Sequence, residues 1–236
     1  PPYEYTFGSD QCGNYTGEGD CYNREHSFPK SWFNDASPMY SDLFHIVPTD
    51  GYVNSKRSNY PYGEVNSPTW TSLNGSRLGT CASPGYSGLV FEPRDEYKGD
   101  FARNYFYMAT RYENVIASWQ SNTGADEVLN GTSYPCYDAW FLDVLLAWNA
   151  ADPVSQKEID RNNAVYYSFQ NNRNPYIDHP EYVSEVWGGT TILPEPDNHV
   201  INFIVSSASL SSLTLTWNDN DGTQPAQKFL ILANTT

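Results

Sequence analysis

Residues 41–65 read SDLFHIVPTDGYVNSKRSNYPYGEV, and the order of signals in that stretch decides the fold. LFHIV (43–47) is a short apolar run that reads as a strand. A helix opens after it, near Asp50–Asn54, with Asn54 in its first turn. Upstream, NREHSFPKSWF (23–33) supplies a partner strand on which Glu25 and His26 are adjacent. The expected unit is strand, strand, helix. In a regular strand adjacent side chains point to opposite faces. Glu25 and His26 are therefore either a surface pair or, at a strand end or bulge, two groups that approach one site.

Outward from this unit, residues 1–95 are rich in Gly, Pro, Ser, Asn and Tyr, the texture of irregular loops around a few short strands. From about residue 96 the period changes. Phe101, Tyr105, Met108 and Tyr112 recur at helical spacing, with Arg103, Tyr107 and Arg111 on another face. A second helix is expected over 136–150, burying Trp140, Phe141, Val144, Leu145 and Trp148. Asp152-Pro153 reads as an N-cap followed by a first-turn proline, giving a third helix to about Gln170. Pro180 opens a last short helix that ends near Trp187-Gly188-Gly189. The expected organisation is a main domain over 1–189, a linker over 190–199, and a short β segment over 200–236. VINFIV (200–205), Leu213/Leu215/Trp217 and KFLILAN (228–234) are the strand candidates of that segment. Its SLTLTWNDND pattern resembles the opening of a fibronectin type III domain, yet too few residues follow for a whole sandwich of about 100 residues.

Composition narrows the function. No apolar run approaches the ~20 residues that span a bilayer. Aromatics are 16% of the chain, which argues against disorder. The 13 basic and 28 acidic residues give a net charge of −15, which excludes a basic packaging protein. That charge is uneven. Between Arg24 and Arg111 there are 9 basic and 9 acidic residues, and elsewhere 4 against 19. A locally neutral cleft can still receive phosphates, with modest and salt-sensitive binding. The cysteines, Cys12, Cys21, Cys81 and Cys136, contain no CxxC spacing. The short polar loop between Cys12 and Cys21 can close as a disulfide, which suits an oxidising, extracellular setting, with buried free thiols as the alternative. The chain opens on Pro1 without a charged-then-apolar leader, as expected of a processed or trimmed product.

HExxH, GxSxG, Walker and Rossmann motifs are absent. Four stretches carry a resemblance instead: REHSFPKSWF (24–33), DLFHIVPTDGYVNSKRSNYPYGEV (42–65), FEPRDEYKGDFARNYFYM (91–108) and FQNNRNPYIDHPE (169–181). In this order they resemble the bacterial endonuclease I family of secreted and periplasmic nucleases. SDLFHIVPTDGYVN and the trailing β segment are most similar to its Bacteroidetes branch. The resemblance implies an α+β fold with a His-metal finger (ββα-metal) nuclease domain, loop-rich with several helices. It implies sequence-nonspecific cleavage of DNA, and of RNA in many members, by an extracellular or periplasmic enzyme. Glu25 and Asn54 correspond to Mg²⁺ ligands, with Ca²⁺ or Mn²⁺ acceptable to the same oxygens. His26 corresponds to the general base, and Arg57 and Arg103 to arginines that contact the scissile or neighbouring phosphates. Relatives carry further sequence before the point where this chain begins, and an arginine that some of them place between the Glu-His pair and the second strand has no match here.

The chemistry agrees with those assignments. Imidazole is a competent base near neutral pH. One carboxylate and one amide oxygen make a sparse, hard site that leaves positions for water and phosphate oxygens, as Mg²⁺ prefers. A metal stabilises the pentacovalent phosphorus and the leaving 3′ oxygen, so the expected ends are 5′-phosphate and 3′-hydroxyl. For Arg57 and Arg103 an ordinary salt bridge is the competing assignment. Arg94, Lys98, Arg111 and Arg173 read as structural or peripheral, Asp42 and His45 as site-supporting or core, and Tyr105, Phe106, Tyr107 and Met108 as packing. The expected partner is nucleic acid bound by a monomer with no membrane span. The alternative is an extracellular carbohydrate-active enzyme or a glycan-binding, adhesin-like protein, suggested by the acidity and abundant Tyr and Trp. No pair of carboxylates stands out for glycoside hydrolysis, and intact Glu25, His26 and Asn54 argue against an inactive scaffold.

Overall fold

Asp50 is the hinge between strand and helix. Its Oδ1 accepts the Val53 amide at 2.9 Å, capping α1 (Gly51–Arg57). Its Oδ2 accepts the Tyr5 hydroxyl and, at 2.7 Å, the Gly19 amide, so the cap also gathers the N-terminal segment. Gly51 follows because a Cβ there would lie 2.6 Å from the Tyr15 ring. Lys56 and Arg57 occupy the last turn, where positive charge complements the helix dipole. The Cys12–Cys21 disulfide closes the preceding loop, and the Gly51 amide donates to the Cys21 carbonyl at 2.9 Å.

This computed structural model describes residues 3–188, 201–208 and 213–218. Ahead of α1, β1 (Tyr22–His26) and β2 (Ile46–Asp50) pair antiparallel, with His26 opposite Ile46 and Glu25 opposite Val47. The second strand thus starts at Ile46 rather than Leu43. Asp42 Oδ1 accepts the Phe44 amide at 3.0 Å and turns the chain, which sends Phe44 and His45 into the core. Next come β3 (Val65–Thr71), β4 (Arg77–Cys81) and β5 (Leu89–Glu92), an antiparallel sheet in that order.

The spine is α2 (Lys98–Arg111), buried on nearly every side rather than on one stripe. Tyr105 and Met108 of the expected apolar face are buried, but so are Arg103 and Tyr107 of the other. Around Tyr105 the rings of Phe28, Tyr62, Tyr137 and Phe141 lie 5.1–6.1 Å away, centroid to centroid. Each such side chain stabilises by about 1.5–3 kcal/mol on burial. The spine is followed by α3 (Glu113–Ile116) and α4 (Ala139–Ala151), the latter burying the five residues that the sequence pattern selects.

After α4 the expected cap is displaced. Asp152 ends α4, donating its amide to the Trp148 carbonyl and accepting the Gly99 amide at 2.9 Å on its carboxylate. Ser155 caps α5 (Gln156–Val165) instead, in a reciprocal capping box with Glu158. The helix then continues as a π-helical turn over Tyr166–Gln170. Two short helices, α6 (Pro175–Asp178) and α7 (Glu181–Trp187), close this unit. Contacts divide the chain into Pro1–Gly188 and Gly189–Thr236. In the second unit β6 (Ile201–Ala208) and β7 (Leu213–Asn218) pair antiparallel. KFLILAN lies outside the described residues. Among the described residues no helix is long and apolar enough to cross a membrane.

Candidate active site

Glu25 and His26 are the last two residues of β1, and the regular register sends them to opposite faces. Glu25 is buried against α1 and lines a cavity of about 810 Å³ together with Asn54 and Arg57. His26 is half-buried and not part of that lining; its ring lies 5.2 Å from Tyr40 and 5.4 Å from His45. The site therefore has two sides, separated by the end of one strand.

On the cavity side, Arg57 Nη1 lies 2.9 Å from Glu25 Oε1. The guanidinium hydrogens, however, point at the carbonyls of His26, Ser27 and Ser58. Glu25 Oε1 thus feels a positive charge but accepts no hydrogen bond, and it is sealed from solvent. Burial pushes the Glu25 carboxyl up to about 7, against the opposing pull of Arg57. Asn54 gives its amide hydrogens to Asn23 Oδ1, at 2.7 Å, and to the Arg24 carbonyl, which leaves its Oδ1 as the acceptor end. An unsatisfied buried carboxylate oxygen and a spare amide oxygen beside one cavity fit a hard divalent cation. Among the described residues no three His, Cys, Asp or Glu side chains converge as a metal cluster, so the donor set would be sparse.

On the other side, His26 Nε2 lies 3.0 Å from the Tyr40 carbonyl. A carbonyl only accepts, so Nε2 carries the proton and Nδ1 keeps its lone pair. Burial holds the His26 pKa below its ordinary value, which keeps the ring neutral and basic near pH 7. The Tyr40 segment is anchored in turn by Asp42, whose carboxylate accepts from Tyr107, Tyr112, Phe44 and Gln170. His45 is fully buried and bonds the Met39 carbonyl at 2.7 Å. Both residues support the His26 face from within the core.

The two arginines expected on phosphates are placed differently. Arg57 lines the cavity but is 2% exposed, with its ring partner Tyr62 4.5 Å away. It clamps the end of β1. Arg103 lies outside the cavity lining, bound to both Glu158 oxygens at 2.6 and 2.9 Å, to Asn149 and to the Asp152 carbonyl. The structure does not bring it to Glu25 and Asn54. In FQNNRNPYIDHPE the sequence expects Gln170, Asn172 and Asn174 to satisfy backbone groups; Gln170 and Asn174 do, whereas Asn172 bonds the Gln170 and Tyr107 side chains. Lys98 binds Glu64 and Glu92, and Arg173 binds Asp178. Sequence reasoning passed over Arg161, which enters the cavity from α5. DRNN (160–163) carries no spacing signal that would have marked it.

Comparison with known proteins identifies the family. The model of the family described as Endonuclease I matches residues 1–181. The chain is 40% identical over 168 residues to an extracellular ribonuclease of Bacillus amyloliquefaciens, covering 70% of this chain and 54% of that protein. An extracellular ribonuclease of Bacillus subtilis is 38% identical with the same coverage. Endonuclease-1 of Buchnera aphidicola is 26% identical over 138 residues, 58% of this chain and 44% of its own length. The chain thus spans about half the length of the curated relatives it matches.

Proposed function

The chain belongs to the endonuclease I family, and on that premise we propose that it is a secreted, sequence-nonspecific endonuclease. Its substrate is DNA, with RNA as a second substrate at the same site. The observation that carries this reading is the Glu25 carboxylate, which lines one cavity with Asn54 and whose Oε1 accepts no hydrogen bond. Glu25 and Asn54 would hold one divalent cation of the Mg²⁺ type. When bound, it supplies Lewis-acid stabilisation of the charge that builds on phosphorus and on the leaving oxygen.

The chain's own residues do the rest. His26 Nδ1 takes a proton from the attacking water while Nε2–H stays on the Tyr40 carbonyl, so the ring neither rotates nor changes tautomer. The water oxygen bonds to phosphorus, the bond from phosphorus to the 3′ oxygen breaks, and that oxygen takes a proton from solvent. The ends are a 5′-phosphate and a 3′-hydroxyl. Arg57 ties the His26 and Ser27 carbonyls to Glu25, which keeps both faces of the strand end in register. Substrate must lie across that strand end for both faces to reach one phosphate. Secretion is supported by the Cys12–Cys21 disulfide and by the extracellular Bacillus relatives.

Plasmid nicking tests the proposal. Nicking with Mg²⁺ that stops in EDTA, with ligatable ends, is expected. A folded chain that leaves the plasmid intact in Mg²⁺ would refute it.

A further inference from the structure

Four cationic side chains line the cavity that holds Glu25 and Asn54: Arg57, Arg94, Lys157 and Arg161. Three are paired with carboxylates, Arg57 with Glu25, Arg94 with Glu96, and Lys157 with Asp100. Arg161 differs. Among the described residues it has no carboxylate within ion-pair distance, and its hydrogen bonds run from Nη2 to the carbonyls of Leu43 and Ile46. Its Nη1 and Nε have no protein acceptor among the described residues, yet they are not sealed from solvent as Arg57 Nε is. Arg161 is one of the residues that line the cavity.

A guanidinium keeps its charge even when desolvated, so burial without a counter-ion is costly unless an anion completes the site. Desolvation indeed acts to lower the Arg161 pKa, with Asp100, Asp42 and Glu158 opposing it at longer range. Its position also links it to the reaction. The Ser27 amide donates to the His45 carbonyl, so the next carbonyl, Ile46, faces away from β1 and onto the free edge of β2. Arg161 caps that edge beside the residue paired with His26.

We propose that Arg161 binds a non-bridging oxygen of a substrate phosphate through the donors it does not spend on Leu43 and Ile46. On this assignment Arg161, rather than Arg57 or Arg103, is the arginine that neutralises phosphate in the cavity. The inference rests on the nuclease reading and names the residue that meets the charge of its substrate. The anchored half of the guanidinium fixes its position before substrate arrives, so little rotamer entropy is lost on binding.

The test compares wild type with Arg161→Gln and Arg161→Lys in two assays. One is binding of a short DNA duplex in EDTA across a KCl series, and the other is plasmid nicking in Mg²⁺, with thermal melting to count folded molecules. Arg161→Gln should reduce the slope of log K against log salt by about 0.9, the value of one phosphate contact. It should lower kcat/KM by on the order of 10²-fold, as loss of one charge-stabilising donor does. Arg161→Lys should keep the slope and recover part of the rate, since a point charge replaces a planar fork. A glutamine variant with wild-type slope and rate overturns the inference. So does one whose rate falls only with its folded fraction while its slope is unchanged, because the residue is then a structural tie. If the glutamine variant does not fold, the lysine variant decides: full rate per folded molecule overturns the assignment, and a reduced rate per folded molecule with an unchanged slope supports it. A wild-type chain that does not nick in Mg²⁺ refutes the nuclease reading itself, whereas normal wild-type nicking beside an unaffected Arg161→Gln refutes this inference alone.

Discussion

The end of β1 and the layer between α2 and α5 each bury an arginine against a glutamate, and the two pairs are almost equally hidden. Side-chain exposure is 3% and 7% for Arg57 and Glu25, and 1% and 6% for Arg103 and Glu158. Their hydrogen bonding differs. Arg103 meets Glu158 through two parallel bonds, gives its third nitrogen to Asn149 and Asp152, and Glu158 also accepts from the Ser155 amide and hydroxyl. In the first pair Glu25 Oε1 and Arg57 Nε have no hydrogen-bond partner. Burial alone would raise both carboxyls. Arg103 overrides it and holds Glu158 below the ordinary range, whereas Arg57 does not prevent Glu25 from rising. A saturated buried pair is scaffold, and an unsaturated one is a place for a ligand.

The sharpest way to break this comparison is on the His26 side. His26→Ala should lower cleavage by about 10²–10⁴-fold, the usual worth of a general base, while leaving the melting temperature near wild type. Wild-type turnover in that variant would remove His26 from the mechanism. Next in size is the scaffold pair. Arg103→Gln should cost about 3–5 kcal/mol in urea unfolding, because Glu158 is left buried without its charge partner. Its remaining folded molecules should cleave normally, and a cleavage defect without a stability defect would contradict the distinction.

A smaller effect belongs to His45. Burial lowers the His45 pKa to about 4, so between about 6.5 and that value the unfolded chain takes a proton that the folded chain refuses. His45 therefore contributes stability above pH 6.5 that falls away as pH drops toward 4, by about 3 kcal/mol at the limit. Unfolding free energies of wild type and His45→Asn measured across this window should differ by a slope of that sign. Parallel pH profiles would show that His45 is not held neutral.

What the sequence made legible was local. The helix opening near Asp50–Asn54, the five buried residues of α4 and the short helix after Pro180 each depend on neighbours within a turn or two. The adjacency of Glu25 and His26 was visible too, and so was the requirement for a strand end. What escaped was set by distant partners. Arg103 was expected on a phosphate, with a salt bridge as the competing assignment, and the sequence could not decide because its partner Glu158 lies 55 residues on. Ser155 with Glu158 carries a local capping-box signature that the Asp152-Pro153 reading passed over, while Asp152 is spent on the Gly99 amide, 53 residues away. Arg161 was missed for the same reason, since its meaning lies in the Leu43 and Ile46 carbonyls more than 100 residues upstream. The family resemblance located the strand end; only the fold could say which arginines were already taken.

The most direct test of the central claim is the rate of plasmid nicking by Glu25→Gln as Mg²⁺ is raised, set beside wild type. Wild type should nick with a rate that saturates in Mg²⁺ and vanishes in EDTA. Glu25→Gln leaves Arg57 buried without its carboxylate, so rates are compared per folded molecule. It should nick at least about 10²-fold more slowly at every Mg²⁺ concentration, because the donor set has lost its only charge. Equal rates for the two proteins at equal Mg²⁺ would contradict the account.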